Sequence, residues 1–315
     1  MKDLNIAFMG TPEFAVASLD ALIRADFKIA VVVTAPDRPA GRGRKLRASA
    51  VKSYAVEKGL PVLQPTNLKD PDFVEQLASF GVNLQVVVAF RMLPRQVWEF
   101  PEYGTFNLHA SLLPDYRGAA PINWAVINGE RTTGATTFFI DEQIDTGHVI
   151  LQESLEIGPR ENAGQLHDRL MALGAGLVVE TVRQIQAGTV TTHPQPEPEP
   201  DKIAPKLFRD DCRIDWKAPA AQIDNLIRGL SPYPTAWTQL ETGSGTTTCK
   251  IYAARPADIP SNGSPGDLHG MDRKLFVDTS DSQLEILELQ PEGKRRMPVS
   301  DWLNGTELKK NDRFR

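Results

Sequence analysis

The stretch Leu84-Gln85-Val86-Val87-Val88-Ala89-Phe90 constrains the fold more than any other part of the chain. With a single polar side chain in the run it cannot alternate a wet face with a dry one, so a strand built from it must be covered on both sides. Strands of that kind lie in the middle of parallel sheets that carry helices on both faces. Arg91-Met92-Leu93-Pro94 then stands at the carboxyl end of this strand, where open sheets bind ligands, and its backbone groups can grip a flat heterocycle.

The flanking sequence repeats the alternation of strand and helix. Asn5 to Met9 is a short apolar run that stops at Gly10; Thr11 suits a helix N-cap, Pro12 the first helical position, and Ala15, Leu19, Leu22 and Ile23 follow at helical spacing. Strands are expected at Ile29 to Val33, Pro61 to Leu63, Thr105 to His109, Thr133 to Ile140 and Val149 to Ile157. Helical patterns fill Val51 to Lys58, Asp72 to Ser79, Ile122 to Ile127 and the long face Leu166, Leu170, Leu173, Leu177 that ends near Gly188. The fold class that follows is α/β, with an open, mostly parallel, Rossmann-like N-terminal sheet. Only Gly10 stands where a dinucleotide-binding turn needs several glycines, which disfavours NAD and FAD.

A compositional break follows. His193 to Lys206 alternates Pro with acidic residues, cannot hold regular helix or ladder structure, and reads as a semi-rigid linker. It divides the chain into residues 1–192 and 207–315. In the second part a helix over Pro219 to Leu230 precedes short strands at Ala236 to Leu240, Cys249 to Ala254, Lys274 to Asp278 and Gln283 to Leu289, the pattern of a small barrel. Cys212 and Cys249 lack metal-ligand spacing and fit small buried residues. No apolar run is long enough to cross a membrane and no signal-peptide pattern opens the chain, so a cytoplasmic protein is expected.

Charge is concentrated in one place. The formal net charge of -5 argues against indiscriminate coating of nucleic acid, yet between Pro36 and Lys52 the residues Arg38, Arg42, Arg44, Lys45, Arg47 and Lys52 are opposed only by Asp37. Two readings stand: a solvated charged loop, or a loop that contacts phosphates.

The chemistry-bearing stretch runs from Asn107 to Asp145. Asn107 and His109, two apart on one strand, share a face, so one substrate atom can meet both. A loop punctuated by Pro114, Gly118 and Pro121 follows, and Asp145 lies near the end of a later strand. G-x-S-x-G, the P-loop and H-E-x-x-H are all absent, and neither cysteine lies near a histidine in a recognisable pattern. Acyl or formyl transfer to an amine suits these groups without an enzyme nucleophile. Asn107 can donate to the oxygen that gains charge, His109 can share that role or move a proton, and Asp145 can orient the imidazole or hold a water.

The motifs N-x-H-x-S-L-L-P-x-Y-R-G-x-x-P, D-x-x-x-D-T-G, G-T-P-x-F and D-R-P-A-G-R-G, with Leu226 to Trp237 in the second part, resemble the methionyl-tRNA formyltransferase family. The first motif is shared by other 10-formyltetrahydrofolate-using enzymes, including those that act on a nucleotide sugar or glycinamide ribotide; the basic loop and two-part layout point to tRNA. The resemblance implies a catalytic trio of Asn107, His109 and Asp145, with 10-formyltetrahydrofolate as formyl donor and no metal. It implies a folate site lined by Ser111, Leu112, Leu113 and Pro114 and by Phe90, Arg91, Met92 and Leu93. Initiator methionyl-tRNA would be met by Phe14 near the methionyl side chain and by Arg38, Arg42, Arg44 and Lys45 at the acceptor arm. From position alone Phe14 reads as core. An OB-like C-terminal domain would hold the inside of the arm, and so large an acceptor suits a monomer.

Overall fold

In the computed structural model, which describes residues 1–40, 45–197, 199–243, 245–309 and 311–315, the apolar run forms a strand buried along its length, but over Leu84–Val88 only. Ala89 turns the chain out of the strand with φ 47°, leaving Phe90 half-buried beyond it. Seven strands make the N-terminal sheet: β1 (Ile6–Gly10), β2 (Ile29–Val33), β3 (Val62–Leu63), β4 (Leu84–Val88), β5 (Thr105–His109), β6 (Thr132–Phe139) and β7 (Val149–Glu156). Their order across the sheet is β7-β6-β5-β4-β1-β2-β3. β4 is parallel to β1 and β5, and β2 to β1 and β3, whereas β6 runs antiparallel to β5. The sheet is mixed.

That order creates a switch point. From β1 the chain builds β2 and β3 on one side and then crosses to β4 on the other, so the carboxyl ends of β1 and β4 border a crevice of the kind where open sheets take ligands. Gly10 ends β1 because a Cβ there would lie 2.6 Å from the Ala15 Cβ and 3.0 Å from the Val88 carbonyl oxygen. Its role is close approach of helix to strand. Helix α1 (Glu13–Arg24) starts one residue later than its sequence suggests: Pro12, not Thr11, is the N-cap, and no side chain caps it. The extended backbone of Pro12, φ -82° and ψ 178°, accounts for the shift, and its carbonyl accepts from Ala15 N at 3.0 Å. The next helices, α2 (Ala50–Glu57) and α3 (Pro71–Ser79), are capped by Ser49 and Asp70. One face of the sheet packs Ala7, Met9, Val31, Val33 and Val87 with Phe73 and Leu77 of α3 and with Val97 of the short helical turn Arg95–Trp98. Each large side chain so buried stabilises the fold by about 1.5–3 kcal/mol.

Two further helices are the short α4 (Pro121–Ile127) and the long α5 (Ala163–Ala187). α5 covers the opposite face of β5. A Cβ at Gly174 would come within 2.7 Å of Leu108 Cδ2, and Thr181 Oγ1 lies 2.7 Å from Thr137 Oγ1 on the neighbouring strand. Because Leu108 faces α5, strand alternation turns Asn107 and His109 to the other face.

The proline-rich segment departs from expectation. His193 exchanges both backbone hydrogen bonds with Val149, each 2.9 Å, and Lys202 O accepts from Tyr116 N at 2.7 Å. Proline removes donors from the segment, but the non-proline residues between still form ladder bonds where a partner backbone is offered.

By contacts the described chain divides into two compact units: 1–118, 133–155 and 167–203 form the first, and 119–132, 156–166 and 204–315 the second. The second is built on an antiparallel sheet. Helix α6 (Ala220–Leu230) is followed by β8 (Ala236–Thr242), β9 (Gly245–Pro260), β10 (Leu268–Met271), β11 (Lys274–Asp278), β12 (Ser282–Pro291) and β13 (Arg313–Phe314). The order is β10-β11-β12-β9-β8-β13, with Met297–Pro298 also paired to β12. Trp216, Ile223, Ile227, Ile251, Leu275 and Ile286 fill its core beside Cys212 and Cys249. α4 joins this unit: Asn123 Nδ2 donates to Gly229 O at 2.7 Å, and a Cβ on Gly229 would meet Ile127 Cγ1 at 2.4 Å.

Candidate active site

β5 brings His109 to its carboxyl end, where the ring is 6% exposed. Nε2 lies 2.8 Å from the carbonyl oxygen of Tyr116. A carbonyl only accepts, so Nε2 carries the hydrogen and donates it. Nδ1 faces the other way, 3.7 Å from Asp145 Oδ2. The same oxygen accepts from Gly118 N at 3.0 Å. Asp145 and Tyr116 both adopt the left-handed region, φ 57° and 59°, which non-glycine residues hold only when their surroundings over-determine it.

Asn107, half-buried on the same face as His109, makes no side-chain hydrogen bond among the described residues. Its amide is therefore available to a ligand. Asp141, near the end of β6, fixes the approach to Asp145 by accepting from Gln143 N at 3.0 Å and Thr146 Oγ1 at 2.7 Å. Gly147 completes the turn: a Cβ there would lie 1.7 Å from the carbonyl oxygen of Phe139.

The Ser111 to Pro114 loop is held from behind. Ser111 is fully buried and its hydroxyl donates to Asp115 O at 2.6 Å, so what it offers a ligand is backbone. Thr136 Oγ1 donates to Ser111 O at 2.7 Å and accepts from Leu113 N at 3.2 Å; Gln152 Nε2 donates to Leu113 O at 2.9 Å. Leu112 and Pro114 are half-buried, Leu113 is buried, and the Leu113-Pro114 peptide is cis.

After β4, Met92 is 72% exposed while Leu93 is 8% exposed and belongs to the core. Arg91 donates to the carbonyl oxygens of Pro65 and Thr66. Burial, with the charge of Arg38 nearby, holds its pKa below the ordinary arginine value. Phe14 is buried, with its ring edge-on to His167 at 5.2 Å between centroids.

Arg38 is exposed, on a short ladder in which Arg38–Ala40 pairs with Lys45–Arg47. Arg42 and Arg44 lie outside the described residues, and Lys45 is described only in its backbone. At the base of the loop Lys52 Nζ donates to Asp37 Oδ2 at 2.6 Å and Gln64 Nε2 to Oδ1 at 2.8 Å. The Lys52 ammonium, then the Gln64 amide, hold the Asp37 carboxyl below the usual carboxylate range. Lys52 thus serves the loop's footing. Among the described residues no group of three or more His, Cys, Asp or Glu side chains is set to hold a metal, and no helix is long and apolar enough to cross a membrane.

The arrangement matches known proteins. A family model described as "Formyl transferase" fits residues 4–182, and one described as "Formyl transferase, C-terminal domain" fits residues 206–307. A protein from Flavobacterium johnsoniae named methionyl-tRNA formyltransferase is 52% identical over 305 residues, 97% of each chain. The chain belongs to the methionyl-tRNA formyltransferase family. It is a formyl-transferring enzyme. A second methionyl-tRNA formyltransferase, from Parabacteroides distasonis, is 50% identical over 312 residues, 96% of each chain. Among solved structures, HypX from Aquifex aeolicus in complex with tetrahydrofolic acid has a TM-score of 0.65 at 17% identity, covering 96% of this chain and 47% of that one. WlaRD, a sugar 3N-formyl transferase, has a TM-score of 0.66 at 19% identity over 94% of this chain and 100% of that one. At such identities the likeness establishes a shared fold.

Proposed function

We propose that the chain transfers a formyl group from 10-formyltetrahydrofolate to the amino group of methionyl initiator tRNA. The observation that carries the chemistry is the setting of His109, its Nε2 hydrogen committed to Tyr116 O and its Nδ1 facing Asp145 Oδ2 at 3.7 Å, two residues along the strand from an uncommitted Asn107 amide. The neutral amine attacks the formyl carbon, and the carbonyl electron pair moves to oxygen. The Asn107 amide donates to that oxygen. The nitrogen gives up a proton to His109 Nδ1, Asp145 steadies the imidazolium, and the proton passes to folate N10 as the C–N10 bond breaks.

The donor lies against the backbone of Ser111, Leu112, Leu113 and Pro114 and the loop of Phe90, Arg91, Met92 and Leu93. Phe14 sits near the methionyl side chain. Arg38, Arg42, Arg44 and Lys45 contact the acceptor arm; the charge of Arg38 felt by Arg91 supports a basic loop that begins beside the folate loop. Residues 1–192 carry catalysis, 193–206 the linker, and 207–315 an OB-like fold that holds the tRNA. On this reading the enzyme works in the cytoplasm as a monomer and uses no metal.

The test gives purified protein 10-formyltetrahydrofolate with charged initiator tRNA and, in parallel, amino sugar nucleotides and glycinamide ribotide. Formyl-methionyl-tRNA is the expected product. Formylation of a small acceptor alone would reassign the substrate, and no product with any acceptor would remove the proposal.

A further inference from the structure

Within the proline-rich segment, Gln195 is half-buried while the described residues on either side are exposed. Its Nε2 donates to two carbonyl oxygens, Asp145 O at 2.9 Å and Gly147 O at 2.8 Å. Its Oε1 accepts Nε and Nη2 of Arg117, at 3.1 and 2.7 Å. We infer that Gln195 is a positioning residue for Asp145, an inference that rests on the reading of Asp145 as part of the formyl-transfer centre.

The two loops that Gln195 joins are those that fix His109. Arg117 follows Tyr116, whose carbonyl takes the Nε2 hydrogen, and precedes Gly118, whose N–H goes to Asp145 Oδ2. On the other side, the tied carbonyls flank Thr146 and begin at Asp145 itself, whose left-handed φ of 57° a non-glycine residue holds only with outside support. A carboxamide fills this place because it offers two hydrogens at one end and an acceptor at the other. Glutamate has the same size and can still pair with Arg117, but it would set an oxygen against two carbonyl oxygens. The segment's backbone is held independently, through His193 and Val149, so changing the side chain does not release it.

The experiment measures kcat, the KM for each substrate and the melting temperature in the full chain, for the wild type, Gln195→Glu, Asp145→Asn and the double variant. Gln195→Glu is expected to lower kcat by about 10-fold with little change in either KM, since small displacements of a catalytic group act on the chemical step. In the Asp145→Asn background the same change is expected to alter kcat by less than about 2-fold, because side chains acting through one group are not additive. Equal losses in both backgrounds, or a rise in KM and a fall in melting temperature accompanying the loss of kcat, would mean a general structural role and overturn the inference. Full activity in Gln195→Glu beside an impaired Asp145→Asn overturns it too, leaving the formyl-transfer reading intact. An unimpaired Asp145→Asn takes Asp145 out of the formyl-transfer centre and overturns the inference with it. Should Gln195→Glu fail to fold, Gln195→Ala, which places no oxygen against the carbonyls, carries the same expectations.

Discussion

His109 Nε2 donates to the carbonyl oxygen of Tyr116 across 2.8 Å, and in the proposed mechanism that bond leaves Nδ1 as the ring nitrogen that exchanges a proton. With Nε2 committed, the exchangeable lone pair is on Nδ1, facing Asp145. His109→Ala is expected to lower kcat by about 100-fold or more, with the folate KM changed little. Steady-state kinetics at saturating tRNA checks this, and full activity would take His109 out of the mechanism.

Asn107 answers to a different test. Its amide is expected to act on the developing oxyanion, so Asn107→Ala lowers kcat by about 100-fold while leaving the ground-state affinity for folate unchanged. Titration of the variant with tetrahydrofolate by intrinsic fluorescence separates the two effects. A loss of binding equal to the loss of rate would make Asn107 a binding residue only.

For the basic loop the measurable quantity is salt dependence. Arg42→Ala and Arg38→Ala should each weaken tRNA binding and reduce the slope of log K against log salt by about 1 if each meets one phosphate. Folate affinity should stay as it is. An unchanged slope would return the loop to the solvated reading.

Space rather than charge governs Gly147. A Cβ placed 1.7 Å from Phe139 O forces the backbone apart, so Gly147→Ala is expected to cost about 3 kcal/mol or more in urea unfolding. Gly176, exposed on α5 with nothing within 4 Å of its Cβ position, is the control. There Ala should stabilise by up to about 1 kcal/mol through helix propensity.

The cysteines should be silent. Burial pushes the Cys249 thiol up to about 12 and raises Cys212 as well. A thiol is nucleophilic only as thiolate, and at pH 8 on the order of one Cys249 in ten thousand is ionised. Alkylation at pH 8 should label neither thiol rapidly in the folded protein and both after denaturation. Fast labelling of the native enzyme would contradict the burial.

Much of this was written in the sequence, and for traceable reasons. Val86, Val87 and Val88 announce a doubly covered strand because nothing polar interrupts them, and the 3.6-residue spacing of Leu166, Leu170 and Leu177 announces α5. Asn107 and His109 share a face by strand alternation alone. The sequence does not reveal Tyr116 as the partner of His109, since the contact uses a backbone carbonyl that any residue would supply. Gln195 is equally hidden, a polar residue in a run whose composition spells linker. Thr11 misleads because capping preference is local, whereas Pro12 sets where the helix begins. Leu268–Met271, with a glycine and no alternation, becomes a strand only because Lys274–Asp278 pairs with it. Nor does any break in composition mark 119–132 and 156–166 as parts of the second unit.

The hydrogen bonds between His193 and Val149, and from Gln195 to Asp145 and Gly147, bear on how such enzymes can be recombined. A natural or laboratory exchange of C-terminal domains between relatives, spliced where proline first becomes frequent, would discard the residue that holds the Asp145 turn and replace it with whatever the donor supplies. A crossover placed after Gln195 keeps the recipient's own support. The residues that hold the Asp145 turn therefore reach into what looks like spacer.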